Sequence, residues 1–512
     1  MELKLNRETI PAAENIFSSV QEQSVELDYI LPDYFPDIFR LLRCEVVPVI
    51  TEYSVMGDRL AYELRCDIRI LYCGEDGKKI QCITQQQSFS RSAELGRTPQ
   101  SPEVNISART GNVNYRAVNK RRLDMRCAVS IKICVSGISE QEVISDASGM
   151  NIQLLKTPVT IASKTLSAVR DISLSDETEI SAAQPPVSCI VRSVCTANDC
   201  EVKLISGKLL AKGQAQVNVL YSYDEGIEPL EFTVPFSQII DLDGVDETFL
   251  CSVSARTVSC ELTPAPDKNG ENRILKCELG LKLICHAMKE SQVMIVSDAY
   301  STVYPCETVS ADITVQRPAE KISENFRSIA KLSQGENVPK KVFAVWVTPG
   351  NISIGIDKER QTADISGMLT YSMAAQDDSG MLICPDKDEA FEVSIPIPEG
   401  MGDQACAEIT VGDVSYNISP EGVLTAKAEL TAVISDSSSY TLSALTDITI
   451  DDTVRKERDG DYAVKLYYGV DNERIWDIAK RCSTSVDAIA EENDLEGDTL
   501  SGGAMLLIPI KD

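Results

Sequence analysis

The chain has 512 residues, an apolar fraction of 43%, and 49 Lys and Arg against 78 Asp and Glu, for a net charge of −29. That length exceeds one hydrophobic core and argues for about three or four domains of ordinary soluble composition. So acidic a surface repels phosphate backbones and anionic lipid, which excludes nucleic acid and bare membrane as expected direct partners.

Met1–Asn6 lacks the basic region and apolar run of a secretory signal, and no window reaches the roughly 18 apolar residues of a spanning helix, so neither export nor membrane insertion is expected. The 17 cysteines are odd in number and include no Cys-x-x-Cys. Many replace apolar residues inside alternating runs, as Cys66 and Cys127 do where other copies carry Cys277 and Ala426. They read as small buried hydrophobes in a reducing compartment.

In chain order, a short helix is expected over Ala13–Gln23. Strict apolar/polar alternation then marks a half-buried strand over Leu64–Tyr72, followed by the turn Cys73–Gly77. Val113–Tyr115 and Leu123–Ile131 complete the first set. The pattern returns as Ala211–Tyr221 with the turn Ser222–Gly226, then Val258–Cys260 and Leu275–Leu283. A second helix is expected over Ile322–Ser333. The third set is Ala363–Tyr371 with the turn Asp377–Gly380, then Val414–Tyr416 and Leu424–Leu430. After the polar stretch Asp451–Asp461 the pattern changes to a strand at Val464–Tyr468, amphipathic helices over Ile475–Cys482 and Val486–Asn493, and a closing strand at Leu506–Pro509.

Tyr72, Tyr221 and Tyr371 lie 149 and 150 residues apart, each on the parity of its strand's apolar residues and each before an acidic, glycine-containing turn. The second strand marker repeats at nearly the same period. A period near 150 is too long for a solenoid unit, so each copy should carry its own core. The expected fold class is mainly β: three tandem β-sandwich or open-barrel-like repeats over residues 1–165, 166–318 and 319–452, then a small α+β (βααβ) domain over 462–512.

No chemistry stands out. His286 is the single histidine, and its neighbour Cys285 points to the opposite face of a strand, so the two cannot pair. Cys195 and Cys200 have no second cysteine pair at zinc spacing. Phosphate-loop and dinucleotide-binding motifs are absent from the sequence. Asp241–Glu247 lacks the ligand order of a calcium loop and reads as an acidic turn. Lys120-Arg121-Arg122 reads as a solvated hairpin tip. No catalytic residue, cofactor or metal site is expected, and the chain reads as a scaffold.

The tail, with Trp476-x-Ile478-Ala479, Asn493 and Gly503-x-x-Leu506-x-Ile508-Pro509, resembles a LysM domain. LysM domains bind N-acetylglucosamine polymers such as peptidoglycan in a shallow groove between two loops. The resemblance places that groove at Asp471, Asn472, Glu473, Arg474 and Ile475, and from Leu495 to Gly503. The family usually has Gly-Asp-Thr-Leu where this chain has Asn472-Glu473-Arg474-Ile475. Loss of that glycine favours protein docking over glycan binding, with Trp476, Ile478 and Asn493 as core and loop-fixing residues.

Leu27-Asp28-Tyr29-Ile30-Leu31-Pro32-Asp33-Tyr34-Phe35-Pro36-Asp37-Ile38, with Ile70-Leu71-Tyr72 and Val219-Leu220-Tyr221 and their acidic turns, resembles the SPOCS-domain, SipL-like spore-coat assembly proteins. Members combine SPOCS repeats with a C-terminal LysM. The third copy lacks a clear Leu-Pro-Asp opening. The resemblance implies a non-catalytic protein of an endospore-forming bacterium. It would act in the mother-cell cytoplasm at the forespore surface and bind the coat's morphogenetic ATPase.

Overall fold

Long runs with a period of two need partner strands on both sides, and the computed structural model meets that need with mainly antiparallel sheet. It describes residues 2–74, 79–197, 200–205, 207–224, 226–316, 321–334, 339–398, 405–435, 439–457, 463–495, 497–500 and 502–510. The first set of strands is β1 (Lys4–Ile30), β2 (Arg40–Met56), β3 (Arg59–Cys73), β4 (Ile80–Glu94), β5 (Glu103–Thr110), β6 (Asn114–Asn119) and β7 (Arg122–Ser148). Next come β8 (Ile152–Glu179), β9 (Cys189–Ala197), β10 (Glu201–Ile205), β11 (Lys208–Tyr223), β12 (Gly226–Asp241), β13 (Phe249–Pro266) and β14 (Asn272–Ser301).

The third set is β15 (Cys306–Gln316), β16 (Lys321–Gln334), β17 (Lys341–Asp357), β18 (Thr362–Gln376), β19 (Leu382–Ile383), β20 (Asp386–Pro396), β21 (Cys406–Ile418), β22 (Val423–Ser435) and β23 (Ser439–Ile450). The chain closes with β24 (Val464–Gly469), α1 (Ile475–Cys482), α2 (Val486–Asn493) and β25 (Ala504–Pro509).

The same pairing recurs in each set. One sheet is centred on β3, β11 or β18. It faces a second sheet centred on β7, β14 or β22, and the apolar parity of both fills the space between them. Tyr72, Tyr221 and Tyr371 are all fully buried. The Tyr72 hydroxyl donates to the Pro36 carbonyl at 3.1 Å and Tyr221 donates to Pro185 at 3.2 Å. Burial pushes Tyr72 up to about 12. Residue 335, at the same distance before Tyr371, lies outside the described residues.

The opening loops of the first two sets are each fastened by one arginine. Arg121 donates to the carbonyls of Leu31, Pro32 and Phe35, and Arg273 donates to those of Ser181 and Gln184. Within the tip Lys120-Arg121-Arg122, Lys120 is exposed and Arg122 pairs with Asp28. Arg121 is therefore a structural fastener rather than a solvated side chain.

Three ribbons extend below the sandwiches: the outer halves of β1 and β7, those of β8 and β14, and the separate strands β15 and β23. Their apolar faces meet in shared cores containing Ile10, Val143, Ile161, Ile295, Ile313 and Ala444, then Ile144, Val296, Leu445 and Ile448. The chain crosses between ribbons at the turns 149–151 and 302–305. Gly149 has φ +98°, and a Cβ there would stand 2.4 Å from the Glu2 carbonyl oxygen. Residue 165 lies inside β8, and the position near 318 falls outside the described residues.

A further shared core joins the sandwiches at the other end, built from Leu42 and Leu71, from Val191 and Ile227, and from Ala344 and Trp346. The molecule therefore has a top, where the opening loops lie, and a bottom, where the ribbons meet.

The helices expected over 13–23 and 322–333 are strands, parts of β1 and β16. β7 and β22 supply backbone partners along both segments, interrupted by one register shift in each, and tertiary pairing overrides the local helix preference.

Candidate docking site in the C-terminal module

The last unit is a two-stranded antiparallel sheet, β24 with β25, covered on one face by two short helices. Ile475, Ile478 and Ala479 of α1, Ile489 of α2, and Leu506 and Ile508 of β25 form its core. Ser485 caps α2 by accepting from the Ala488 amide at 3.2 Å. Asn493 ties α2 to the edge of β25. It donates to the carbonyls of Ile489 and Leu507 at 2.8 and 2.7 Å and accepts from the Leu507 amide at 2.7 Å. Asn493 is thus a loop-fixing residue.

The two loops named from the sequence lie side by side. The Asn472 amide donates to Leu500, the Leu500 amide donates to Glu473, and the Ile475 amide donates to Asp498, at 2.9 to 3.0 Å. The Gly502 amide donates to Asp471 Oδ1 at 2.6 Å. Gly469 permits this closure, because a Cβ there would stand 2.2 Å from the buried Leu500 side chain.

The seven named residues therefore share one region but differ in orientation. Asp471, Asn472, Arg474 and Gly503 are exposed, Ile475 is in the core, and Leu495 packs half-buried against it. Glu473 turns inward. It accepts from the Tyr467 hydroxyl at 2.6 Å and from the Val470 amide at 3.2 Å, and lies 3.5 Å from Arg481. The Tyr467 bond, with smaller help from the Val470 amide and Arg481, holds the Glu473 carboxyl below its usual value. Its charge is spent inside the loop.

Sequence reasoning missed how the module is attached. Trp476 Nε1 donates to Asp298 Oδ2 at 2.8 Å, and Lys480 Nζ donates to both oxygens of the same carboxylate at 2.7 and 2.8 Å. Tyr300 stands edge-on to the Trp476 ring at 4.9 Å and donates to the Thr484 carbonyl at 2.7 Å. Asp298 and Tyr300 lie near the end of β14, so the module is clasped to the bottom of the molecule by α1. No local spacing links residues this far apart in the chain.

Elsewhere, Cys285 is buried and His286 faces outward, with Nδ1 3.9 Å from Glu103 Oε1 beside a cavity of about 290 Å³. Burial pushes the thiols of Cys44, Cys82 and Cys384 up to about 12, which suppresses thiolate chemistry. Among the described residues no group of three or more metal-ligating side chains comes together, and no helix is long and apolar enough to cross a membrane.

Residues 186–263 match the family model described as SipL, SPOCS domain. The matched segment runs from the opening loop of the second set through most of β13 and contains Tyr221. The segment is thus similar to the SPOCS domain family, which is non-enzymatic and sporulation-associated. No curated protein sequence and no solved structure matches the chain.

Proposed function

We propose that this chain is a non-catalytic scaffold for endospore coat assembly, built from three SPOCS repeats and a LysM-like docking module. The match over residues 186–263 carries the reading, because the strand pairing within that segment has counterparts in the other two sets. In this reading the protein works in the mother-cell cytoplasm at the forespore surface, recruited by the coat's morphogenetic ATPase. The exposed loop residues Asp471, Asn472, Arg474 and Gly503 form the docking surface. Several weak contacts on one chain would add through avidity.

Capture of the ATPase by the full chain, compared with a chain lacking residues 462–512, tests the docking role. The shortened chain should lose capture, whereas undiminished capture and localisation would remove the tail from recruitment. A second reading is binding of N-acetylglucosamine polymers, supported by the adjacency of the two loops. Titration with chitin oligomers separates the two, since saturable micromolar affinity would favour the glycan.

A further inference from the structure

Two exposed apolar surfaces lie at opposite ends of the molecule. At the top, beside the first opening loop, Ile30, Tyr34, Phe39 and Val118 are exposed, Tyr34 by 82%. Ile30 pairs with Arg122, and the Ile38 amide donates to Lys120, so loop and hairpin tip form one surface. At the bottom, the outward face of β24–β25 carries Leu466 opposite Leu507 and Tyr468 opposite Met505. All four are exposed, Tyr468 by 75%. The helices cover the other face of this sheet and the body holds α1, so the outward face is left to solvent.

Their charges are opposite. Residues 28–40 and 115–126 hold six Arg and Lys against four Asp and Glu, a basic excess within a chain of net charge −29. Lys120 and Arg40 are exposed there and have no ion pair among the described residues. Residues 463–510 hold nine Asp and Glu against four Arg and Lys. Lys480 is bound to Asp298 and Arg481 lies against Glu473. Glu492 and Asp494 flank Asn493, whose side chain grips the backbone of Leu507, so acid with no ion pair among the described residues borders the apolar face. Glu491 adds to it.

We propose that the basic-rimmed top surface of one copy binds the acid-rimmed outward face of β24–β25 on a second copy. The surfaces match in apolar character and complement each other in charge, which sets orientation and suppresses like-with-like contacts. They cannot meet within one molecule. β1 runs 27 residues from the bottom ribbons to the top loop, and a strand of that length spans up to about 90 Å. A contact between two different surfaces is head-to-tail, so each added copy exposes a fresh surface for the next. The assembly needs no other protein, so its failure leaves ATPase recruitment untouched.

Sedimentation of the purified full chain over a rising concentration series tests the proposal. The weight-average mass should climb past that of two chains. Tyr34→Asp and Tyr468→Asp, both at exposed positions, should each stay at the mass of one chain. An equimolar mixture of the two should stop at two chains, because each variant retains one working surface; this also shows that both are folded. Lys120→Glu should weaken assembly, and mixing it with Glu492→Lys should restore it. A wild-type chain that stays at one mass throughout, a single tyrosine variant that assembles like wild type, or a variant mixture that remains at one chain would each overturn the proposal.

Discussion

Glu45 stands at the top junction between Arg43, whose Nε is 2.6 Å away, and Arg192, whose Nε is 4.0 Å away. Both guanidiniums lie over the Trp346 ring at about 5.5 Å, so side chains from all three sets meet around this pair of arginines. Burial alone would raise the Glu45 carboxyl, but Arg192 and Arg43, with Arg69 behind them, outweigh it and hold it below the ordinary 4.5. A depressed carboxyl contributes stability that is full above about pH 4.5 and is lost as pH falls through the folded value. Glu45→Gln should therefore flatten the acid side of a stability-versus-pH profile. At neutral pH it should cost about 3 kcal/mol, since mostly buried Arg192 loses its counter-charge and Arg43 is left with Asp386 alone. Urea denaturation from pH 3 to 7 reads both effects. At the other buried landmark, Tyr221→Phe leaves the Pro185 carbonyl without its donor and should lower stability by about 1 kcal/mol.

At the scale of elements, the terminal module depends on two small features. Gly469→Ala drives a methyl into Leu500, which is 3% exposed and closes both loops, so overpacking should cost about 1–3 kcal/mol locally. Asn493→Ala removes the two hydrogen bonds that tie α2 to Leu507 of β25 and a third, to the Ile489 carbonyl, within α2. Hydrogen exchange should accelerate in residues 463–510 for both variants and stay unchanged in β1 and β7. Acceleration spread evenly over the chain would show instead that the module does not open by itself.

For the whole molecule, one shared core at the top and two at the bottom make three sandwiches into one body, and Asp298 joins the tail to it. Asp298→Ala takes away the acceptor of both the Trp476 indole and Lys480 while leaving the core of the module in place. The tail should release from the body at a cost of about 1–3 kcal/mol for the donors left without a partner. Faster exchange in α1, with a far-UV spectrum unchanged, is the expected signature. If α1 keeps its protection, Tyr300 packing alone holds the module.

Much was legible along the chain because side-chain period is a local property. The alternation through Leu64–Tyr72, Ala211–Tyr221 and Ala363–Tyr371 marked three central strands, and the 3.6-residue pattern marked both helices with the bounds observed. Local composition failed where pairing decides: Ala13–Gln23 has helix-forming residues yet lies in β1, because β7 pairs with it on both sides of one register shift. The loops at Asp471–Ile475 and Leu495–Gly503 could be named, but the inward turn of Glu473 depends on Tyr467 and Arg481 reaching it from other elements. The sequence by itself determined the three central strands, their buried parity and the position of the terminal module. Only the tertiary structure decided that Asp298 receives Trp476, that residues of three sets meet around Arg43 and Arg192, and that apolar side chains are exposed at both ends. Those outcomes depend on which distant strands lie together, and a pattern repeated along one strand carries no information about its neighbour's neighbour.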